Sequence, residues 1–267
     1  MSVIPFDQRD GVIWFDGKLV PWKDAKVHVL THGLHYGSCI FEGERAYDGV
    51  IYKCTEHSQR LHKSAEIMDF TIPYSVAELD EAKYLCLKEN GLRDAYVRPV
   101  AWRGSEMMAV SGLNNAIHTA IAVWEWPSMF DMAQKLKGVR LDIATYRRPD
   151  PACAPVHAKA AGLYMIATLS KHKAERGGYA DAMMLDWEGN VAECTGANIF
   201  FIKDGVIHTP TADRFLNGIT RQSVIELCRK RGFEVVERRI RPEELEGFSE
   251  CFITGSAAEV TLVSEIG

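Results

Sequence analysis

The sequence predicts an α+β fold in two domains, and three observations predict it. Strand-like runs rich in valine, isoleucine and aromatic residues share both halves of the chain with helix-like runs, as mixed layers require and a pure bundle or sandwich does not. Between Pro127 and Lys137 the strand pattern breaks off, which suits a linker. At 267 residues the chain can bury a full core, either as one large domain or as two small ones. The expected division is residues 1–127, a linker over 128–137, and residues 138–267.

The elements follow in order. Val12 to Trp22 reads as a hairpin, because Asp16-Gly17 favours the tight reversal of a strand pair. Glu56 to Asp69 reads as a helix. Ser75-Val76-Ala77-Glu78 is a capping box opening a second helix, which ends at Asn90-Gly91. Tyr96 to Trp102 and Ala116 to Trp126 read as strands. Beyond the linker, Ala160 to Arg176 is a long helix stopped by Gly177-Gly178. Two hairpins turn at Glu188-Gly189-Asn190 and at Asp204-Gly205. Thr220 then caps a helix running to Arg231, with Gly232 just past its end.

Composition bounds the function. Hydrophobic residues make up 47% and charged residues 25%, as in ordinary globular proteins. A net charge of −5 argues against nucleic-acid or anionic-membrane partners. Met1 to Asp10 holds no apolar run, and no later stretch is long and apolar enough to span a bilayer. A cytoplasmic protein with small-molecule partners is expected. The seven cysteines lack CxxC or Cys/His spacing and suit reduced thiols. Cys194, beside Glu193, is either a reactive thiol or a small buried filler. No metal site is expected, since His57 and His62 lack the i, i+4 spacing of a helical zinc pair.

Lys159 is the most informative residue. In His157-Ala158-Lys159-Ala160-Ala161-Gly162-Leu163-Tyr164 a single lysine stands among small residues, with an aromatic hydroxyl five positions on. Small neighbours let a flat molecule approach the backbone, and a neutral lysine amine attacks aldehydes. By itself the segment more often describes a solvated surface lysine.

The second half adds Glu193-Cys194-Thr195-Gly196-Ala197-Asn198-Ile199-Phe200, then Ile207-His208-Thr209, then Leu216-Asn217-Gly218-Ile219-Thr220-Arg221. With Lys159 and Tyr164 these blocks resemble, element by element, the class IV (fold type IV) pyridoxal-phosphate aminotransferases. The nearest resemblance is to branched-chain amino-acid aminotransferases. It runs from Val12-Ile13-Trp14-Phe15-Asp16-Gly17 to Thr254-Gly255-Ser256-Ala257-Ala258-Glu259. The resemblance implies the fold of D-amino-acid aminotransferase: a smaller N-terminal α/β domain and a larger C-terminal mixed pseudo-barrel that anchors pyridoxal 5'-phosphate.

It also implies roles. Lys159 is the catalytic and cofactor-anchoring lysine. Glu193 faces the pyridine nitrogen and keeps it protonated, so that the ring accepts electrons. Tyr164 bonds the phenolic oxygen. Arg60, in His57-Ser58-Gln59-Arg60-Leu61, binds the phosphate with a two-pronged fork. Gly218, Ile219 and Thr220 add backbone amides at a helix start, and Ser256 adds a hydroxyl. Each of these side chains taken singly is also a common surface or core residue.

On the substrate side, Tyr36, Phe41, Tyr96, Arg98 and Val110 fall where branched-chain enzymes place pocket residues. Tyr36 and Val110 are expected from the neighbouring subunit of a homodimer or larger homo-oligomer. Arg98 is expected to hold the distal carboxylate of glutamate, and the amides of Ala257 and Ala258 the α-carboxylate. The implied activity is transamination between a branched-chain L-amino acid and 2-oxoglutarate. A D-amino-acid or (R)-amine transaminase and an aminodeoxychorismate lyase share the fold, and a non-catalytic cofactor-binding protein is the reading from another class.

Two departures stand out. Branched-chain enzymes commonly carry Met-Gly-Val-Asn-Pro where this chain has Met108-Ala109-Val110-Ser111-Gly112. Arg103 and Glu106 just upstream either reshape specificity at a pocket mouth or are solvated loop residues. The chain also stops at Glu265-Ile266-Gly267, where relatives usually continue into a further helix.

Overall fold

A computed structural model of the chain describes residues 4–126 and 136–267. The expected linker, 128–137, falls outside the described residues except for Leu136 and Lys137. The chain forms two compact units: Met1–Pro127 with Ala158–Gly162, and Ser128–His157 with Leu163–Gly267.

The first unit is an antiparallel sheet with two helices on one face. Its strands are β1 (Val12–Phe15), β2 (Lys18–Pro21), β3 (Cys39–Phe41), β4 (Glu44–Tyr47), β5 (Val50–Ile51), β6 (Ala95–Arg103) and β7 (Ile117–Glu125). The order is β2-β1-β7-β6-β4-β5, with β3 also on β6. The first hairpin turns where expected, with Asp16 and Gly17 at φ 46° and 89°. A short helix, α1 (His32–Tyr36), precedes β3. The two long helices are α2 (Cys54–Ile67) and α3 (Val76–Glu89). The expected capping box is formed, Ser75 and Glu78 each bonding the other's backbone amide. Helix α2 starts two residues before Glu56, after Lys53 in a left-handed conformation.

Strand periodicity divides this sheet. Val97, Ala101, Ile121 and Val123 join Leu61, Leu79 and Leu87 in a core that includes helix residues. Val100, Trp102, Ala120 and Ala122 turn to the other face, with Ile13, Phe15 and Trp22.

The second unit is a mixed sheet in the order β10-β9-β8-β15-β14-β11-β12-β13. These strands are β8 (Val139–Ile143), β9 (Asp181–Leu185), β10 (Val191–Cys194), β11 (Asn198–Lys203), β12 (Val206–Pro210), β13 (Val235–Arg238), β14 (Glu250–Gly255) and β15 (Glu259–Ile266). Pairs β8/β9, β8/β15 and β12/β13 are parallel. Ile199 and Phe201 enter one core cluster, and Phe200 enters a second with Ile225 and Phe252.

Two helix boundaries in the second half of the chain also differ from expectation. Helix α4 spans Tyr164–Arg176, so the residues from Ala160 to Leu163 are not α-helical. Ala160 bridges to Ile40, and Ala161–Leu163 forms a single 3-10 turn. Helix α5 spans Ile219–Lys230, and its N-cap is Gly218, not Thr220. Asn198 Oδ1 occupies the space that a Cβ at 218 would need, so glycine is required there.

Candidate active site

In the first unit the backbone of Lys159 is tied from two sides. Its carbonyl accepts from the Phe41 amide at 3.1 Å, and its own amide donates to Ser64 Oγ at 3.0 Å. Ala158 and Ala160 on either side are buried, which explains the small residues flanking the lysine. The Lys159 Nζ lies 4.9 Å from the centre of the Phe41 ring. The Arg98 guanidinium lies 4.7 Å from the same ring, and its Nη2 donates to the Tyr96 hydroxyl at 3.3 Å. Tyr96 and Arg98 share the strand parity of Val100 and Trp102. Arg98 Nε is buried and meets no acceptor among the described residues, an unmet donor of the kind ligands satisfy. Arg98 also lines a mostly apolar cavity of about 600 Å³, with Ile13, Phe15, Val100 and Trp102. Four of the expected residues, Phe41, Tyr96, Arg98 and Lys159, are thus together. Trp124 and Trp126, with rings 5.1 and 5.0 Å from that of Tyr96, complete an aromatic wall that sequence reasoning missed. Gly43 is needed beside it, because a Cβ there would overlap the Tyr96 hydroxyl.

Arg60 sits on α2. Its Nε and Nη2 donate to the two carboxylate oxygens of Glu42 at 2.7 and 2.8 Å. His57, one turn earlier, donates from Nδ1 to Glu42 Oε2 at 2.6 Å. Glu42 is completely buried. Burial alone would raise its carboxyl, but the Arg60 guanidinium and His57 together hold it far below the usual carboxylate range. Burial also lowers the His57 imidazole, against the pull of Glu42, so His57 is neutral. Two residues on, Glu44 pairs with the buried Lys83 at 2.9 Å, and burial pushes its carboxyl up to about 8. Nothing local along the chain points to Glu42, because its pairing with α2 is a long-range contact.

The second unit carries Tyr164, Glu193, the 218–220 segment and the 256–258 turn. A register shift between Val191 and Glu193 marks a bulge in β10, which re-aims the glutamate. Glu193 Oε1 lies 3.2 Å from Nε of the buried Arg148, and its Oε2 accepts from Asn198 Nδ2 at 3.3 Å. Asn198 also donates to the Leu216 carbonyl at 3.2 Å, linking Glu193 to the loop before α5. No side chain caps that helix, so none takes its first-turn amides through a cap. Asn198 is registered with Thr254 across β11 and β14, and a Cβ on Gly255 would press on the Gly196 carbonyl. Glu193, Gly218, Ile219, Thr220, Ser256, Ala257 and Ala258 therefore border one end of this sheet. Tyr164 opens α4. Cys194 is buried, and burial pushes its thiol well up, as suits a packing residue.

Tyr36 and Val110 are neighbours on the surface of the first unit. The His32 ring lies 4.7 Å from that of Tyr36, tilted by 36°, and its Nε2 donates to the carbonyls of Ala109 and Val110 at 3.0 and 3.3 Å. Val110 is 84% exposed, Leu113 71% and Leu34 66%. Arg103 is neither a pocket-mouth charge nor a solvated one. It is buried, donates to the carbonyls of Gly112 and Asp69 at 3.0 and 2.5 Å, and lies over the Phe70 ring. Glu106 accepts from the Ala116 amide at 3.0 Å and fastens its own loop.

A family model for amino-transferase class IV matches residues 39–266. The chain belongs to the class IV aminotransferases. A probable branched-chain-amino-acid aminotransferase of Rickettsia felis is 45% identical over 266 residues, covering 100% of this chain and 90% of that protein. The branched-chain-amino-acid aminotransferase of Pseudomonas aeruginosa is 44% identical, covering 97% of this chain and 85% of that one. Among solved structures, the branched-chain aminotransferase of Escherichia coli is 37% identical, covering 97% of this chain and 87% of that one, at a TM-score of 0.93. An aminotransferase of Brucella abortus, solved bound to the cofactor pyridoxal phosphate, is 28% identical, covering 97% of this chain and 91% of that one, at a TM-score of 0.87. The chain thus has the type IV fold of its class, with strands and helices mixed in both units. Among the described residues of this class IV aminotransferase no helix is long and apolar enough to cross a membrane.

Proposed function

We propose that this chain uses pyridoxal 5'-phosphate to move an amino group between a branched-chain L-amino acid and 2-oxoglutarate. The observation that carries the reading is the cluster of Lys159, Arg98 and Tyr96 around Phe41. It combines a reactive amine, an aromatic wall for an aliphatic side chain, and an arginine suited to a second carboxylate.

The donor chemistry fits the cofactor. Arg60 and the uncapped amides of Gly218, Ile219 and Thr220 suit a phosphate dianion, with Ser256 as a further hydroxyl donor. Glu193, fixed by Arg148 and Asn198, suits a ring nitrogen that must stay protonated. When bound, pyridoxal phosphate supplies the electron sink for the substrate α-carbon. Lys159 would anchor it, and its Nζ would hold the proton taken from the substrate α-carbon. Tyr164 donates to the phenolic oxygen. The Tyr96 hydroxyl and the amides of Ala257 and Ala258 hold the α-carboxylate, and Arg98 holds the distal one of 2-oxoglutarate.

Residues 1–127 and 138–267 act as domains in this reading, joined by 128–137. The protein works as at least a homodimer, in which Tyr36 and Val110 reach the neighbour's pocket. The exposed apolar group of Val110, Leu113, Leu34 and Tyr36 supports this. A cytoplasmic location suits seven cysteines left as free thiols. Single-turnover assays with L-leucine, D-alanine and an (R)-amine, followed by the cofactor spectrum, test the reading. L-Leucine should react fastest, and preference for D-alanine or the amine would overturn it.

A further inference from the structure

We propose that Glu42 is a positioning residue for phosphate recognition: it sets the direction in which Arg60 presents its guanidinium, and His57 fixes Glu42 in turn. The inference rests on the reading of Arg60 as the residue that binds the cofactor's 5'-phosphate.

A guanidinium offers five N–H groups in one plane, and an approaching anion can use only the edge presented to it. Glu42 takes the side edge, Nε and Nη2, in a two-point grip at 2.7 and 2.8 Å. Two points fix the plane as well as the position, so the end bearing Nη1 lies outside that grip and points in a set direction. Glu42 is itself held from three further places. Its backbone amide donates to the Pro99 carbonyl at 2.8 Å on the sheet, His57 donates to Oε2 at 2.6 Å, and the Gly43 amide donates to the same oxygen at 3.3 Å. His57 and Arg60 stand one turn apart on α2, so helix and sheet converge on a single buried carboxylate. An arginine held this way before its ligand arrives loses little side-chain freedom on binding.

The charge of Glu42 acts the other way, since a carboxylate beside Arg60 weakens its attraction for a dianion. Orientation and charge thus predict opposite signs for Glu42→Gln. The amide keeps the shape but offers one acceptor oxygen to four N–H donors, and its NH2 must confront Arg60 or His57. If orientation dominates, the variant binds phosphate worse.

The test compares pyridoxal 5'-phosphate with pyridoxal, which lacks the phosphate, as ligands of the cofactor-stripped protein. Dissociation constants come from absorbance titration, and melting temperature and circular dichroism monitor folding. Arg60→Gln should remove most of the preference for the phosphorylated ligand. Glu42→Gln should weaken pyridoxal 5'-phosphate roughly tenfold, equivalent to about 1.4 kcal/mol, and leave pyridoxal within about twofold. A purely structural ion pair would weaken both ligands alike. Loss of the preference in Arg60→Gln alone overturns the positioning role and spares the phosphate assignment. Retention in both variants overturns both. If Glu42→Gln does not fold, His57→Asn decides by the same ratio: a reduced preference supports the proposal and an unchanged one rejects it.

Discussion

Arg148 and Glu193 meet inside the second unit, Nε lying 3.2 Å from Oε1 with the side chains only 8% and 13% exposed. Forty-five positions apart in the chain, they are joined through β9: Arg148 bridges to Asp186 just beyond it, and Glu193 pairs with Met184 on it. The carboxylate is thereby paired and aimed before any ligand arrives. A buried ion pair of this kind is costly to break, because the surviving charge loses its compensation.

Glu193→Gln should keep cofactor binding and slow proton abstraction. A hydrogen bond to a charged group is worth about 1.5–3 kcal/mol, which corresponds to roughly ten- to hundredfold in rate. Single-turnover kinetics with L-leucine measure it. An unchanged rate would mean that Glu193 does not serve the ring nitrogen.

Lys159→Ala should abolish covalent attachment of the cofactor and nearly all turnover. Borohydride reduction of the wild-type holoenzyme, followed by peptide mapping, should label the segment His157–Tyr164. A label on any other lysine rejects the assignment.

The response of the first unit to acid should carry opposed contributions, Glu42 and His57 losing stability as pH falls and Glu44 gaining it. Burial lowers the His57 imidazole below its ordinary 6.5, so as pH falls through that value the unfolded chain takes up a proton that the folded one refuses. Glu42 is lowered from its ordinary 4.5, so its contribution is complete above 4.5 and is lost as pH falls below it. Glu44 acts in the opposite sense, because its carboxyl, pushed up to about 8, takes up a proton in the folded chain before the unfolded one does. The His57 limb is therefore read as the difference between wild type and a His57 variant, and the Glu42 limb as the fall in stability below about pH 4.5. Denaturant midpoints from pH 8 to 3 measure both limbs. The midpoint of His57→Gln relative to wild type should rise as pH falls from about 6.5 to about 4.5, and a difference independent of pH over that range would contradict the assignment.

Mixing inactive Lys159→Ala and Tyr36→Ala subunits should restore activity. If Tyr36 serves the neighbour's site, one site of each heterodimer carries both defects and the other regains both residues. Subunit exchange is followed by size and activity together. Exchange without recovery, or a fully active monomer in sedimentation, rejects the shared site.

Much of the architecture is legible in local signals, because each concerns residues close in the chain. Asp16-Gly17, the Ser75 and Glu78 capping box and the glycines at 91, 178 and 232 act within one turn, and the hairpins and helices form where these signals stand. Thr220 misleads because a capping hydroxyl is a local cue, whereas the true cap, Gly218, is set by Asn198 from another strand. The start of α4 is misplaced for a similar reason. Lys159 and Ala160 pair with β3, and that contact withholds Ala160 from the helix that its small side chain would permit.

By itself the sequence determined the class of chemistry. A lysine among alanines, a glutamate before Cys-Thr-Gly and a glycine before Ile-Thr-Arg are covalent facts, and their order along the chain survives any packing. Only the tertiary structure decided what holds those groups still. Glu42 on Arg60, Arg148 on Glu193, Trp126 on Tyr96 and the clamp of Arg103 on Asp69 join residues at least 18 positions apart. The physical reason is that orientation of a buried charge depends on which partner desolvates beside it, and no local pattern names that partner.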